Sequence, residues 1–149
     1  MDSLYDQDLV LWAEQQGREL RAAAGAGWNA PIDWENVAEE IETLGRSERR
    51  SLASHITNVI EHLLKLQASP IGEPTRGWRD SVRRARTEIE DVLAESPSLR
   101  REVAAVIAKQ TPRARAIVRA NLEDHGEQPR IDLDAVSYTE QQVLGDWLP

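Results

Sequence analysis

Between Asp33 and Ala68 the apolar side chains recur every three or four residues, and this spacing places them on one stripe of an α-helix and on no single face of a strand. The seam comprises Val37, Ile41, Leu44, Leu52, Ile56, Val59, Leu63 and Leu66. A helix of about 35 residues is roughly 50 Å long, whereas a compact domain of this chain's size is nearer 38 Å across. The helix must therefore bend or lie in an elongated bundle. Gly45 sits at its middle and the seam shifts register past Glu48, so a bend is expected between Gly45 and Ser51.

The other segments follow the same period. A first helix is expected from Ser3 or Asp6 to Ala24, with Tyr5, Leu9, Trp12, Ala13 and Leu20 on its inner face and Gly25-Ala26-Gly27 as its stop. After the Pro- and Gly-rich stretch from Ser69 to Gly77, a third runs from Trp78 to Glu95, with Trp78, Val82, Ala85, Ile89 and Val92 inward. Ser96 and Pro97 are expected as N-cap and first residue of a fourth helix, kinked at Pro112 and ending at Gly126. Thr139 and Gln142 form a capping-box pair that starts a short terminal helix. With 18 Ala, 15 Leu, no Phe and no alternating segment, the expected fold is all-α. It is read as an antiparallel bundle of four main helices plus a short C-terminal one, forming a single domain over residues 1–149.

Composition removes several function classes. The chain has no Cys, so disulfides, thiolate metal sites and a cysteine nucleophile are excluded. No apolar run approaches the roughly 20 residues of a membrane span, and the acidic start Met1-Asp2-Ser3 lacks an export signal, so no membrane partner and a cytoplasmic location are expected. Net charge is −8, and residues 1–48 alone carry 11 acidic against 3 basic side chains. Residues 76–119 reverse this, with 11 basic against 6 acidic. The net acidity disfavours nucleic acid as a partner, and the two segments are expected to face each other, with Glu39, Glu40 and Glu42 opposite the arginines.

Several motifs in this order carry a family resemblance: Tyr5-Asp6-x-Asp8-x3-Trp12, Glu39-Glu40-Ile41-Glu42-x-Leu44-Gly45-Arg46-Ser47-Glu48, His62-Leu63-Leu64-Lys65, Ser96-Pro97-Ser98-Leu99, Tyr138-Thr139-x-x-Gln142 and the closing Leu148-Pro149. Together they resemble the bacterial family called domain of unknown function 29 over nearly the whole chain. The resemblance implies an all-helical, stand-alone small protein and transfers no reaction, cofactor or catalytic residue.

Three constellations are candidates for chemistry. Glu48, His55 and His62 are spaced by seven and share a stripe, which makes Glu48 and His62 candidate metal ligands. Seven residues rise about 10.5 Å, so one helix cannot chelate with them and a site needs ligands from a neighbour. Arg50 and His55 resemble the Arg-x4-His motif of HEPN-type ribonucleases, in which Arg50 would hold a phosphate while His55 moves a proton. Positions five apart diverge by about 140° around a helix, which weighs against convergence. Arg79, Arg83 and Arg86, preceded by Arg76, line one helical face and are candidate anion ligands. No Gly-rich phosphate loop and no nucleophile elbow is present, and no cofactor is expected. The reading is a protein-interaction module without enzymatic activity, the alternatives being a ribonuclease and a metal-binding bundle. Ile60 and Leu64, beside the seam, are expected to supply surplus apolar surface for self-association.

Overall fold

The computed structural model describes residues 2–28, 31–71 and 75–149, with side chains throughout except at residues 75 and 76. The fold is all-helical, as expected, with no strand among the described residues. In chain order the elements are α1 (Leu4–Gln7), α2 (Leu9–Gly25), α3 (Trp34–Ala68), α4 (Thr75–Glu95), a 3₁₀ turn (Pro97–Glu102), α5 (Val103–Asp124), a second 3₁₀ turn (Leu133–Ala135) and α6 (Glu140–Leu144). Contacts divide the chain into two compact units. Unit 1 holds Met1–Ser51 and Val92–Arg100; unit 2 holds Leu52–Asp91 and Arg101–Pro149.

Unit 1 departs from the sequence reading at its start. The single helix expected from Ser3 to Ala24 is split at Asp8, whose backbone is extended (φ −158°, ψ 103°). Ser3 and Asp6 close α1 with a reciprocal capping box, and the Asp8 carboxylate then caps α2 by accepting the Leu11 N–H at 2.9 Å. The same carboxylate accepts the Ser98 N–H at 2.7 Å and the Ser98 hydroxyl at 3.0 Å. Ser96 does not cap its own helix. Its hydroxyl accepts the Val10 N–H of α2 at 3.3 Å, and Pro97–Glu102 winds as a 3₁₀ turn before α5 begins at Val103. Two chain segments 90 residues apart thus cap each other, and Asp8 and Ser96, both buried, accept the Leu11 and Val10 N–H groups at the start of α2.

The α2–α3 contact in unit 1 is made of small residues. Val10, Ala13 and Gly17 are the buried residues of α2, and Ala38 and Gly45 answer them on α3. A methyl added at Gly45 would lie 3.8 Å from the Ala13 Cβ, whereas one at Gly17 would lie 2.6 Å from Glu42 Cγ, so the backbone of α2 passes close over Glu42. α3 is uninterrupted from Trp34 to Ala68, and Gly45 serves this contact. At the far end of α2, Gly27 takes φ +73°, a conformation that costs glycine little and stops the helix.

Unit 2 is packed with larger side chains. Leu52, Ile56, Val59, Ile60, Leu63 and Leu64 of α3 are at most 1% exposed. Val82, Ala85 and Ile89 of α4 and Val103, Ala114, Val118 and Leu122 of α5 are buried with them. Ile60 and Leu64 therefore offer no surface for self-association, contrary to expectation: α3 is apolar on more than half its circumference here, and the unit covers both of them completely. Pro112 lies inside α5, and just before it the Thr111 hydroxyl donates to the Ile107 carbonyl at 2.6 Å. The expected capping box of Thr139 and Gln142 starts α6.

Candidate interaction face on the amino-terminal hairpin

In unit 1, side-chain contacts fix which edges of α2 and α3 lie together. Taking 100° per residue, Val10, Ala13 and Gly17 form the centre of the α2 contact face, with Glu14 and Arg21 on one edge and Leu9, Gln16 and Leu20 on the other. On α3, Ala38 and Gly45 form the centre, Glu35, Glu39, Glu42 and Arg49 lie to one side, and Val37, Ile41, Leu44 and Glu48 fall within about 60° of one another on the opposite side.

The first pair of edges is sewn together by charge. Arg21 grips Glu42 with two parallel bonds, Nε to Oε1 at 2.9 Å and Nη2 to Oε2 at 3.0 Å, and reaches Glu35 at 2.6 Å and Glu39 at 3.3 Å. Arg46 donates to Glu39 at 2.6 Å and to the Thr43 hydroxyl at 2.8 Å, and Arg49 pairs with Glu14 at 2.8 Å. The hydrogen bonds and charge of Glu42 hold the Arg21 guanidinium more firmly protonated than usual, and those of Arg21 hold the Glu42 carboxyl below its ordinary value. Glu39 and Glu42, expected to face the arginines of α4, are thus used by Arg21 and Arg46 within unit 1.

The opposite pair of edges has no such partners. Since Glu14 and Arg21 share a side with Glu42 and Arg49, the Leu9–Leu20 edge of α2 shares the other side with Val37, Ile41 and Leu44. Val37 and Leu44, assigned to the buried seam by their period, are 37% and 43% exposed. Ile41 and Leu20 are half-buried. Glu48, lower on the same ridge, is half-buried; its Oε2 finds no hydrogen-bond donor among the described residues, and burial together with the nearby Glu95 carboxylate raises its pKa above the usual glutamate value. The ridge is thus apolar at Val37, Ile41 and Leu44 and carries a half-buried carboxyl at Glu48.

Apolar exposure is concentrated in this unit. Of the eight large apolar side chains left exposed among the described residues, six belong to the smaller unit 1: Tyr5, Leu11, Trp28, Ile32, Val37 and Leu44. Unit 2 exposes Ile71 and Ile117.

The residues singled out from sequence are placed as follows. Arg50 is exposed, and His55, about 140° further around α3, is half-buried. His62 is half-buried, with Nδ1 2.8 Å from the Asn58 carbonyl of its own helix. Among the described residues no three His, Asp or Glu side chains gather as they would around a metal ion. Arg79 and Arg83 are exposed, with Arg83 3.4 Å from Asp80; the side chain of Arg76 lies outside the described residues. Arg86 is buried and donates Nε to the Val143 carbonyl at 2.9 Å and Nη2 to those of Gln142 and Trp147 at 2.7 and 2.6 Å, which caps the C-terminus of α6. Burial lowers the pKa of its guanidinium. With these three carbonyls as its partners, Arg86 serves the fold. The apolar ridge was missed because its period matches that of a core seam.

No helix among the described residues is long and apolar enough to cross a membrane. No curated protein is similar to the chain in sequence. Among solved structures, an α-helical protein of unknown function from Rhodospirillum rubrum ATCC 11170 is similar in fold, with a TM-score of 0.81 at 24% identity over 98% of this chain and 92% of that one. The family model described as domain of unknown function DUF29 matches residues 4–148, and the chain belongs to that family.

Proposed function

We propose that the protein is an interaction module that docks another protein on the apolar ridge of unit 1. The observation that carries this reading is the segregation of exposed apolar side chains: six of the eight among the described residues belong to unit 1, where α2 and α3 meet through Val10, Ala13, Gly17, Ala38 and Gly45, and two belong to the larger unit 2. On the hairpin, one pair of edges is closed by ion pairs and the other presents Leu20, Val37, Ile41 and Leu44, the half-formed packing that a further helix completes. Site-specific crosslinking in the native host tests this. A photoreactive residue at position 44 is expected to form adducts with a partner protein, whereas one at the exposed Arg84 of α4 forms none. Equal labelling from both positions, or none from position 44, overturns the reading.

A further inference from the structure

The surroundings of the ridge distinguish one kind of partner from another. Unit 1 carries 12 acidic against 6 basic side chains, and unit 2 carries 14 against 12. Within unit 1 the charges are not spread evenly between the two edges of the hairpin. Glu14, Glu35, Glu39 and Glu42 are matched by Arg21, Arg46 and Arg49 on one side. On the other side Glu40 stands beside the ridge, three residues from Val37 and four from Leu44, and Glu19 lies on the outer surface of α2 beyond Gln16 and Leu20. Both are exposed, and neither makes an ion pair among the described residues. No Arg or Lys lies along this rim between Leu9 and Leu20 of α2 other than Arg18, which lies toward the Glu14 edge, and none lies between Trp34 and Leu44 of α3.

We infer that the ridge takes a basic amphipathic helix, laid with its apolar face over Leu20, Val37, Ile41 and Leu44 and its Lys or Arg flanks toward Glu19 and Glu40. This deepens the interaction reading and rests on it. The chemistry follows from the two halves of the surface. An apolar face presented by two adjoining helices is covered by residues spaced three and four apart on a third. The unmatched carboxylates at its margin favour cations there and repel an acidic partner. A second copy of this chain would bring the same acidic rim against itself, so self-pairing across this face is opposed by like charge.

The test uses the full chain with two synthetic amphipathic peptides, one of Leu and Lys and one of Leu and Glu, observed by amide chemical shifts and by titration calorimetry. The Leu/Lys peptide is expected to shift the amides of residues 37–44 and to bind more weakly as salt rises. Its affinity is expected to fall about tenfold in Leu44→Ser, which removes apolar contact, and about twofold to threefold in Glu40→Gln, which removes a rim charge. Leu11→Ser, on the ion-paired edge, leaves it unchanged. If the Leu/Glu peptide occupies residues 37–44 as tightly as the Leu/Lys peptide, the partner chemistry is overturned while the docking face stands. If the chain pairs with itself and Leu44→Ser makes it monomeric, the occupant is a second copy and the proposal is again overturned with the face intact. Engagement of neither peptide also overturns the inference, and crosslinking from position 44 then decides separately on the interaction role.

Discussion

Residues 34–51 and 52–68 lie on the same helix and have comparable helical periodicity, yet they are buried by different means. The second half inserts Leu52, Ile56, Val59, Ile60, Leu63 and Leu64 into unit 2, each at most 1% exposed. The first half buries Ala38 and Gly45 and leaves Val37 and Leu44 more than a third exposed. Large side chains stabilise a unit through apolar area removed from water, whereas small ones let backbones approach but remove little area. Unit 1 also buries Val92, Leu93 and Leu99, and it makes up part of that difference with polar devices: the reciprocal caps of Asp8, Ser96 and Ser98 and the ion pairs of Arg21, Arg46 and Arg49.

Mutations on this one helix sharpen the contrast. Leu63→Ala opens a cavity in unit 2 and is expected to cost about 3 kcal/mol in urea denaturation, while Leu44→Ala, on the exposed ridge, is expected to change stability by about 0.5 kcal/mol or less. Equal losses at the two positions would mean that the ridge is buried in solution. Asp8→Ala removes the acceptor of three hydrogen bonds and orphans donors in two segments, for an expected loss of about 2 kcal/mol. A loss no larger than that of an ordinary surface substitution would show that the reciprocal cap contributes little.

Two smaller effects probe the thin seam and the ridge. Gly45→Ala is expected to stabilise by about 0.5 to 1 kcal/mol, because the helix gains propensity and the added methyl meets Ala13 and Val10 at ordinary contact distance. Glu48→Gln is expected to give the smallest change, and one that depends on pH. Because its folded pKa is raised, the folded chain holds the Glu48 proton more tightly than the unfolded chain, and stability falls as pH rises through the interval between the ordinary glutamate value and the raised one. Relative to the native protein, the glutamine variant is therefore expected to gain stability at neutral pH and to lose that advantage below the ordinary glutamate range. A stability difference independent of pH would contradict the burial of this carboxyl.

The all-helical fold was legible because period and punctuation agree. The seam from Leu52 to Leu66, the inner face of α4 and the capping box at Thr139 all rest on local spacing. The first helix was misread because Asp8 is a cap only in combination with its extended backbone, and its partner Ser98 is 90 residues away, a pairing that leaves no local trace. Ser96-Pro97 looked like a helix start for the same reason, since the hydroxyl serves α2 instead. The ridge is the deeper case. Val37, Ile41 and Leu44 continue the register of the core, and only the presence of Ala38 and Gly45 on the adjoining face signals that α2 packs beside them and leaves them uncovered. The row of arginines on α4 gave no hint that Arg86 alone turns inward, because its three acceptors are backbone carbonyls.

Amide hydrogen exchange along α3, read residue by residue with and without the Leu/Lys peptide, tests the account most directly. The amides of residues 37–48 are expected to exchange faster than those of residues 56–66, and adding the peptide is expected to slow the first group and leave the second unchanged. Uniform protection along the free helix, or slowing confined to residues 56–66, would contradict the assignment of the amino-terminal ridge as the open, partner-binding face.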